Sequence, residues 1–414
     1  MRVLIVTHYF PPETGAPQAR LSALAAAWAA GGDAVSVLTG MPNHPTGVLP
    51  PAYRRAVFRR ERADGYRVIR TWLYATPNEG VVRKTLGHLS FMVSSVLLGG
   101  LAAGRADVVL VSSPTFFSIL SGWLLAKMKR ARFVVEVRDL WPAIFVELGV
   151  LTNRRVIALL TRLELAAYAV ADQVVVVSEG FRADLIRRGV PPAKVHTIRN
   201  GVDAARFAVA AGAGRDWRAR LGAAAGDCLV LYAGTHGISQ ALPAIADAAA
   251  LVAARPGGAC VRFAFVGDGA DKRRLELRVA ELGLRNTVLL PGVPHAEMPG
   301  LLAAADICLV PLRDVPLFAT FIPSKLFECL AAGKPVVGSV TGEAAQIIAE
   351  AGGVVVRPED SAALAAVIGA LTADRELRAV MGKAGRAFAE RCCDRAALAR
   401  QYREILDLAL ACAP

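Results

Sequence analysis

The stretch FIPSKLFECLAAGKPVV, Phe321–Val337, decides how this chain is read. It opens as a helix, stops at Gly333-Lys334-Pro335, and passes at once into a β-branched strand. An apolar run of the same kind, ICLVPL (307–312), precedes it, and PVVGSV (335–340) completes it. Strand, helix and strand in succession are the repeating unit of a parallel α/β sheet. Lys325 and Glu328 stand three residues apart on the helix, among apolar neighbours. One reading is an ordinary i,i+3 ion pair. The other is a ligand carrying both phosphate and vicinal hydroxyls. Lysine meets a diphosphate as a point charge, and a carboxylate accepts two hydrogen bonds from a ribose diol.

The same alternation fills the chain. RVLIVTHYF, AVSVLTG, RVIRTWLY, DVVLVSS, RFVVEVRD, QVVVVS and KVHTIRN read as strands of a first half. CLVLYAG, VRFAFVGDG, TVLLPG, ICLVPL, PVVGSV and GGVVVRP read as strands of a second. The joint is the Gly/Ala-rich NGVDAARFAVAAGAGRDW (200–217). A chain of 414 residues needs two cores. Two doubly wound domains are therefore expected, at 1–203 and 216–393, followed by a helical run at 394–414. Ligands of such sheets bind at the carboxyl ends of the strands.

Those ends hold the candidate residues. In THYFPPETGAPQAR (7–20), Thr14 and Gly15 precede a helix, and glycine lets backbone approach an anion. The alternative is a structural βα turn, and no dinucleotide fingerprint is present. EVRDLWPAIFVELG (136–149) puts Arg138, Asp139 and Trp141 at a strand end, where a plain Arg–Asp surface pair is the alternative. YAGTHGISQ and FVGDGADKRRL put Gly234, Thr235, His236 and Gly267 at successive strand ends, as backbone making room for a nucleotide would.

Composition narrows the classes. Hydrophobic residues make up 54% and charged residues 20%, so the chain is globular. Seven cysteines without a CxxC pair fit reduced thiols in the cytoplasm. MRVLIVTHYFPP lacks the apolar length of a signal peptide. The net charge of +13 has no aromatic-interleaved basic tract, so it argues for an anionic membrane or substrate over nucleic acid. TLGHLSFMVSSVLLGGLAAG (85–104) is nearly uncharged and close to spanning length. It reads as a spanning helix, a buried helix, or a helix with one face in the membrane interface. In the last case Phe91, Met92, Val96 and Leu97 would insert, with Arg54, Arg55, Arg59, Arg60, Arg62, Arg83 and Lys84 as the basic flank.

The ordered set THYFPPETGAPQAR, MPNHPTG, EVRDLWP, VSEGFRADLIRRGVP, IRNGVD, YAGTHG, FVGDG, ADICLVPL and IPSKLFECLAAGKPVV resembles retaining glycosyltransferases of family 4. The likeness is to the bacterial capsule, colanic-acid and O-antigen branch that includes L-fucosamine transferases. It implies a GT-B fold, two facing Rossmann-like domains, with the last helix crossing back to the first. It implies donor binding at Lys325 (diphosphate), Glu328 (ribose), Gly15, Thr235, His236 and Gly267. His8, Arg138, Asp139 and Trp141 fall on the acceptor side, Arg138 and Asp139 being the nearest catalytic candidates. The family's earlier glutamate corresponds to Thr320 here. The implied donor is a UDP-sugar, N-acetylamino sugars among the candidates. The implied acceptor is a lipid-linked saccharide at the inner membrane face, with peripheral attachment and no metal or other cofactor. A sugar-nucleotide epimerase of the same architecture and a silent sugar-nucleotide-binding subunit are the alternatives.

Overall fold

The computed structural model describes residues 1–411 apart from 14, 45, 78–80, 114–115 and 210–211. Thr14 and residues 412–414 of the expected last helix lie outside the described residues. The chain divides into two units, Met1–Arg199 with Arg395–Pro414, and Asn200–Asp394. Residues 200–203, expected with the first unit, belong to the second, because the Val202 amide donates to the Cys393 carbonyl at 2.8 Å. Asp394 bridges Val202, so the last helix starts one residue later than expected and runs Arg395–Ala411.

The first unit is built on an eight-stranded sheet ordered β3-β4-β2-β1-β5-β6-β7-β8. The strands are β1 (Arg2–Val6), β2 (Ala34–Gly40), β3 (Phe58–Ala63), β4 (Tyr66–Thr71), β5 (Val108–Ser112), β6 (Arg132–Val137), β7 (Gln173–Val176) and β8 (Val195–Thr197). All pairs are parallel except β3 with β4. β3, sequence FRRERA, was not among the expected strands. It lies at the edge and buries no face, so it carries no alternating apolar signal. Arg59, Arg60 and Arg62 therefore sit on a sheet edge, where charge also blocks pairing with a second chain. Arg59 lies over the Tyr53 ring, 4.9 Å from its centroid.

Two helices cover one face of this sheet, Ala16–Ala30 and Arg395–Ala411. Trp28 Nε1 donates to the Ala399 carbonyl at 2.9 Å, and Arg403 Nε donates to Asp33 Oδ2 at 2.6 Å. Tyr402, Ile405, Leu406 and Ala409 of the last helix are buried in the same core. Val81–Ser94, which connects β4 to β5, packs with Phe116–Lys129 and that in turn with Arg154–Val170, and the right-handed crossover rule assigns these three to the opposite face.

The apolar segment 85–104 forms the first of these helices and its continuation through a π turn at Ser95–Gly99. The stretch Arg83–Ala102 is long and apolar enough to cross a membrane by length and composition. Its inner face, however, is core of the first unit. Phe91, Ser95 and Gly99 are buried, and a Cβ on Gly99 would meet the Leu38 side chain at 2.4 Å. Of the four residues expected to insert into a membrane, only Leu97 is exposed. Phe91 is wholly buried, and Met92 and Val96 are half-buried. The exposed row is instead Leu86, Leu89, Val93, Leu97 and Leu101, which helical geometry puts on the side away from Phe91.

The second unit has six parallel strands ordered β11-β10-β9-β12-β13-β14. They are β9 (Cys228–Ala233), β10 (Val261–Val266), β11 (Thr287–Leu290), β12 (Ile307–Pro311), β13 (Val336–Ser339) and β14 (Val354–Val356), one for each run read from the second half. The order reverses between β9 and β12, the point where doubly wound sheets open a crevice.

Candidate functional site

That reversal governs the second unit. β9 runs into Gly234, whose φ of 133° few side chains adopt. β12 leads through the turn Pro316–Thr320 to the helix Lys325–Ala331. A Cβ on Gly234 would stand 2.9 Å from Lys325 Nζ, so the ammonium rests directly on the glycine turn. It also lies 3.6 Å from the centroid of the Tyr232 ring. Burial lowers the Lys325 pKa to about 7.

The expected alternative of a Lys325–Glu328 ion pair is not what forms. Glu328 Oε1 accepts from His295 Nε2 at 2.9 Å, and among the described residues no carboxylate pairs with Lys325. The helix thus carries a half-buried cation whose close partner among the described residues is an aromatic face, an arrangement that an anionic ligand stabilises. His295 was missed in the sequence reading. It lies after β11, thirty-three residues before Glu328, and no local pattern links the two.

The glycine loops make room first for each other. A Cβ on Gly267 would stand 1.8 Å from the Gly234 carbonyl oxygen, and one on Gly269 would stand 2.3 Å from the His236 carbonyl. His236, expected among the donor-binding residues, sits beneath the strand-end turn. Its ring is fully buried, and neither ring nitrogen has a partner among the described residues. Burial, and then the charges of Lys272 and Lys325, lower it to about 4, and its ring lies against the Gly267 loop. Thr235 is exposed, and its carbonyl accepts from the Tyr232 hydroxyl. Thr320 donates its hydroxyl to the Leu317 carbonyl at 2.7 Å within its own turn.

In the first unit the expected residues fall into separate groups. Gly15 is the N-cap of the helix Ala16–Ala30, in extended backbone, and a Cβ there would meet only the Gln18 side chain. Arg138 is buried, not on the surface, and its partner is Glu136, with Arg138 Nη1 at 4.0 Å from Glu136 Oε2. The surface Arg138–Asp139 pair offered as the alternative does not form. Glu136 also accepts from Arg20 Nε at 2.8 Å and from Ser112 Oγ at 2.7 Å. Burial would raise Glu136, but the two arginines hold it below the usual carboxylate range. Burial raises Asp139. Trp141 stacks edge-on against Phe145, with centroids 5.0 Å apart. His8 belongs elsewhere. Its ring contacts Tyr9, His88 and Phe91, all at the carboxyl end of β1 or on the helix between β4 and β5.

A model of glycosyl transferase 4-like domains matches residues 15–201, and one of glycosyl transferases group 1 matches 215–388. The chain is 30% identical over 384 residues to the putative colanic acid biosynthesis glycosyl transferase WcaI of Escherichia coli K12, covering 90% of this chain and 92% of that protein. The chain belongs to glycosyltransferase family 4. Among solved structures, this transferase superposes on sucrose-phosphate synthase of Thermosynechococcus elongatus with a TM-score of 0.74 at 22% identity, over 98% of both chains. It superposes on Anabaena Alr3699/HepE, solved in complex with UDP-glucose, with a TM-score of 0.73 at 19% identity, over 98% and 99%. The two Rossmann-like units of this transferase are thus those of the GT-B fold.

Proposed function

We propose that this glycosyltransferase moves a sugar, with retention, from a UDP-sugar to a lipid-linked saccharide during surface polysaccharide synthesis. The observation that carries the reading is Lys325, an ammonium on the Gly234 turn without a carboxylate partner among the described residues, one helical turn from Glu328. Lys325 takes the donor diphosphate, and Glu328, oriented by His295, takes the ribose diol through its second oxygen. Gly234, Thr235 and Gly267 supply close backbone, and a phosphate role for Gly15 rests on the family resemblance alone. The UDP-glucose complex of a protein of this fold and the colanic-acid name of the relative support the substrate classes.

Lys325 stabilises the departing diphosphate by charge. The acceptor attacks from the same face, and the leaving phosphate takes its proton, so no metal or protein base is required. Arg138 and Asp139 stay catalytic candidates on the family resemblance alone. N-acetylamino sugars are within the proposed donor range. The exposed leucine row and the basic residues around it support peripheral attachment at the inner membrane face.

The test is UDP release from UDP-sugars with and without membrane lipid extract, in the presence of EDTA. Acceptor-dependent release that survives EDTA is expected. Isomerised donor without acceptor would mean an epimerase, and UDP binding without turnover would mean a silent subunit.

A further inference from the structure

The first unit holds a pocket of about 210 Å³ that the donor chemistry does not use. Three loops and a helix converge on it. His8 and Tyr9 follow β1, Asn43 and His44 follow β2, Leu73 and Tyr74 follow β4, and Lys84 and His88 come from the helix Val81–Ser94. The imidazoles descend by depth. His44 is exposed at the rim, His88 is half-buried, and His8 is buried at the base. His8 Nδ1 and His88 Nδ1 face each other at 3.5 Å, with ring centroids 4.4 Å apart. Two neutral imidazoles with their nitrogens turned to one another can share a single hydrogen bond. One proton added to the pair leaves a net positive charge in the pocket.

Other charged groups near the pair are already engaged. Glu13 is buried nearby, but its carboxylate is spent on the backbone amides of Phe10, Asn43 and His44. Arg70 is directed to Glu61 and the Pro11 carbonyl. Tyr9 and Tyr74 are the phenols on the wall. Among the described residues no carboxylate lines the pocket, and Lys84 is its one lysine. Burial, and for His44 and His88 the charge of Lys84, push all three imidazoles down, His88 to about 4. The pocket is therefore built from groups that an entering anion would charge.

We propose that this pocket binds the phosphate or diphosphate of the acceptor, with Lys84 and the His8–His88 pair as its cationic partners. The helix that lines the pocket with Lys84 and His88 turns Leu86, Leu89, Val93, Leu97 and Leu101 outward. That row favours a lipid as the source of the phosphate, its chain lying along or beside the helix. The anion enters, one proton from solvent joins the imidazole pair, and no covalent bond changes. The inference rests on reading the first unit as the acceptor side.

Calorimetry of the whole chain tests it, with farnesyl diphosphate, inorganic pyrophosphate and farnesol as probes. Titration in buffers of different ionisation enthalpy counts protons, and UDP is titrated separately. Farnesyl diphosphate is expected to bind at pH 7 with uptake of about one proton. His88→Asn should weaken it at least tenfold and abolish the uptake, with UDP affinity unchanged as proof of folding. Pyrophosphate binding as tight as farnesyl diphosphate would overturn the lipid assignment. Farnesol binding as tight would overturn the anion site. Failure of both anions while UDP still binds would sink the pocket alone, whereas failure of UDP as well would sink the transferase reading beneath it.

Discussion

At residue scale the chemistry turns on Lys325. A lysine with a folded pKa of about 7 against an ordinary 10.5 is destabilising when protonated. Above 10.5 it is neutral in both states and the cost vanishes. The cost grows as pH falls toward 7 and is complete below it. An anion at Nζ reverses this by favouring the ammonium. UDP affinity should therefore fall as pH rises from about 7 to about 9, by up to about tenfold per unit, and be flat in Lys325→Met. Isothermal titration across that range decides it, and a flat wild-type profile would remove Lys325 from the phosphate. A second comparison separates the two side chains. Lys325→Ala should weaken UDP far more than uridine, and Glu328→Gln should weaken both. A charged hydrogen bond contributes about 1.5–3 kcal/mol, so losses of roughly tenfold or more are expected.

At the scale of elements, close backbone packing replaces side-chain chemistry. Gly267→Ala would force a methyl group into the Gly234 carbonyl, a backbone atom that cannot swing away. Overpacking costs about 1–3 kcal/mol. The variant should show a lower melting temperature for the second unit and weaker UDP binding, since the same shift moves the Gly234 turn under Lys325. Gly15→Ala meets only the flexible Gln18 side chain, so its melting temperature should be nearly that of wild type. The last helix belongs to the core of the first unit. Leu406→Ala deletes a fully buried side chain there and should cost about 2–5 kcal/mol in denaturant unfolding.

At the scale of the whole molecule the question is the membrane. The helices Val81–Ser94 and Arg154–Val170 both pack on Phe116–Lys129. Val156, Leu159 and Leu163 add a second exposed apolar row to the one that runs from Leu86 to Leu101. Each nearby cation adds about 1 kcal/mol at an anionic surface. Flotation with anionic liposomes should carry the protein upward at low salt and release it at high salt. Leu97→Ser combined with Leu101→Ser should reduce flotation without unfolding, since both side chains are exposed. Changing Arg54, Arg55, Arg59, Arg60 and Arg62 to Gln asks whether the edge strand takes part. Wild-type protein that stays at the bottom at low salt would end the membrane reading.

Two parallel α/β units and most of their strands were legible in the chain, because a strand buried on both faces writes a continuous β-branched run. β3 was not, because an edge strand facing water writes no such run. Lys325 and Glu328 were legible as a pair of functional types one turn apart. Their partners were not, since Tyr232 and His295 reach them from other strands or the loops that follow, and only the strand order β11-β10-β9-β12 brings those ends together. Which face of the apolar helix is free was likewise a tertiary matter. Composition marks 85–104 as apolar throughout, and only the packing of Gly99 on Leu38 and of Phe91 on His8 makes one face core and leaves Leu97 exposed. Local sequence determines what an element is, through backbone preference and periodicity. What each side chain meets depends on segments far away in the chain, and that the fold alone decides.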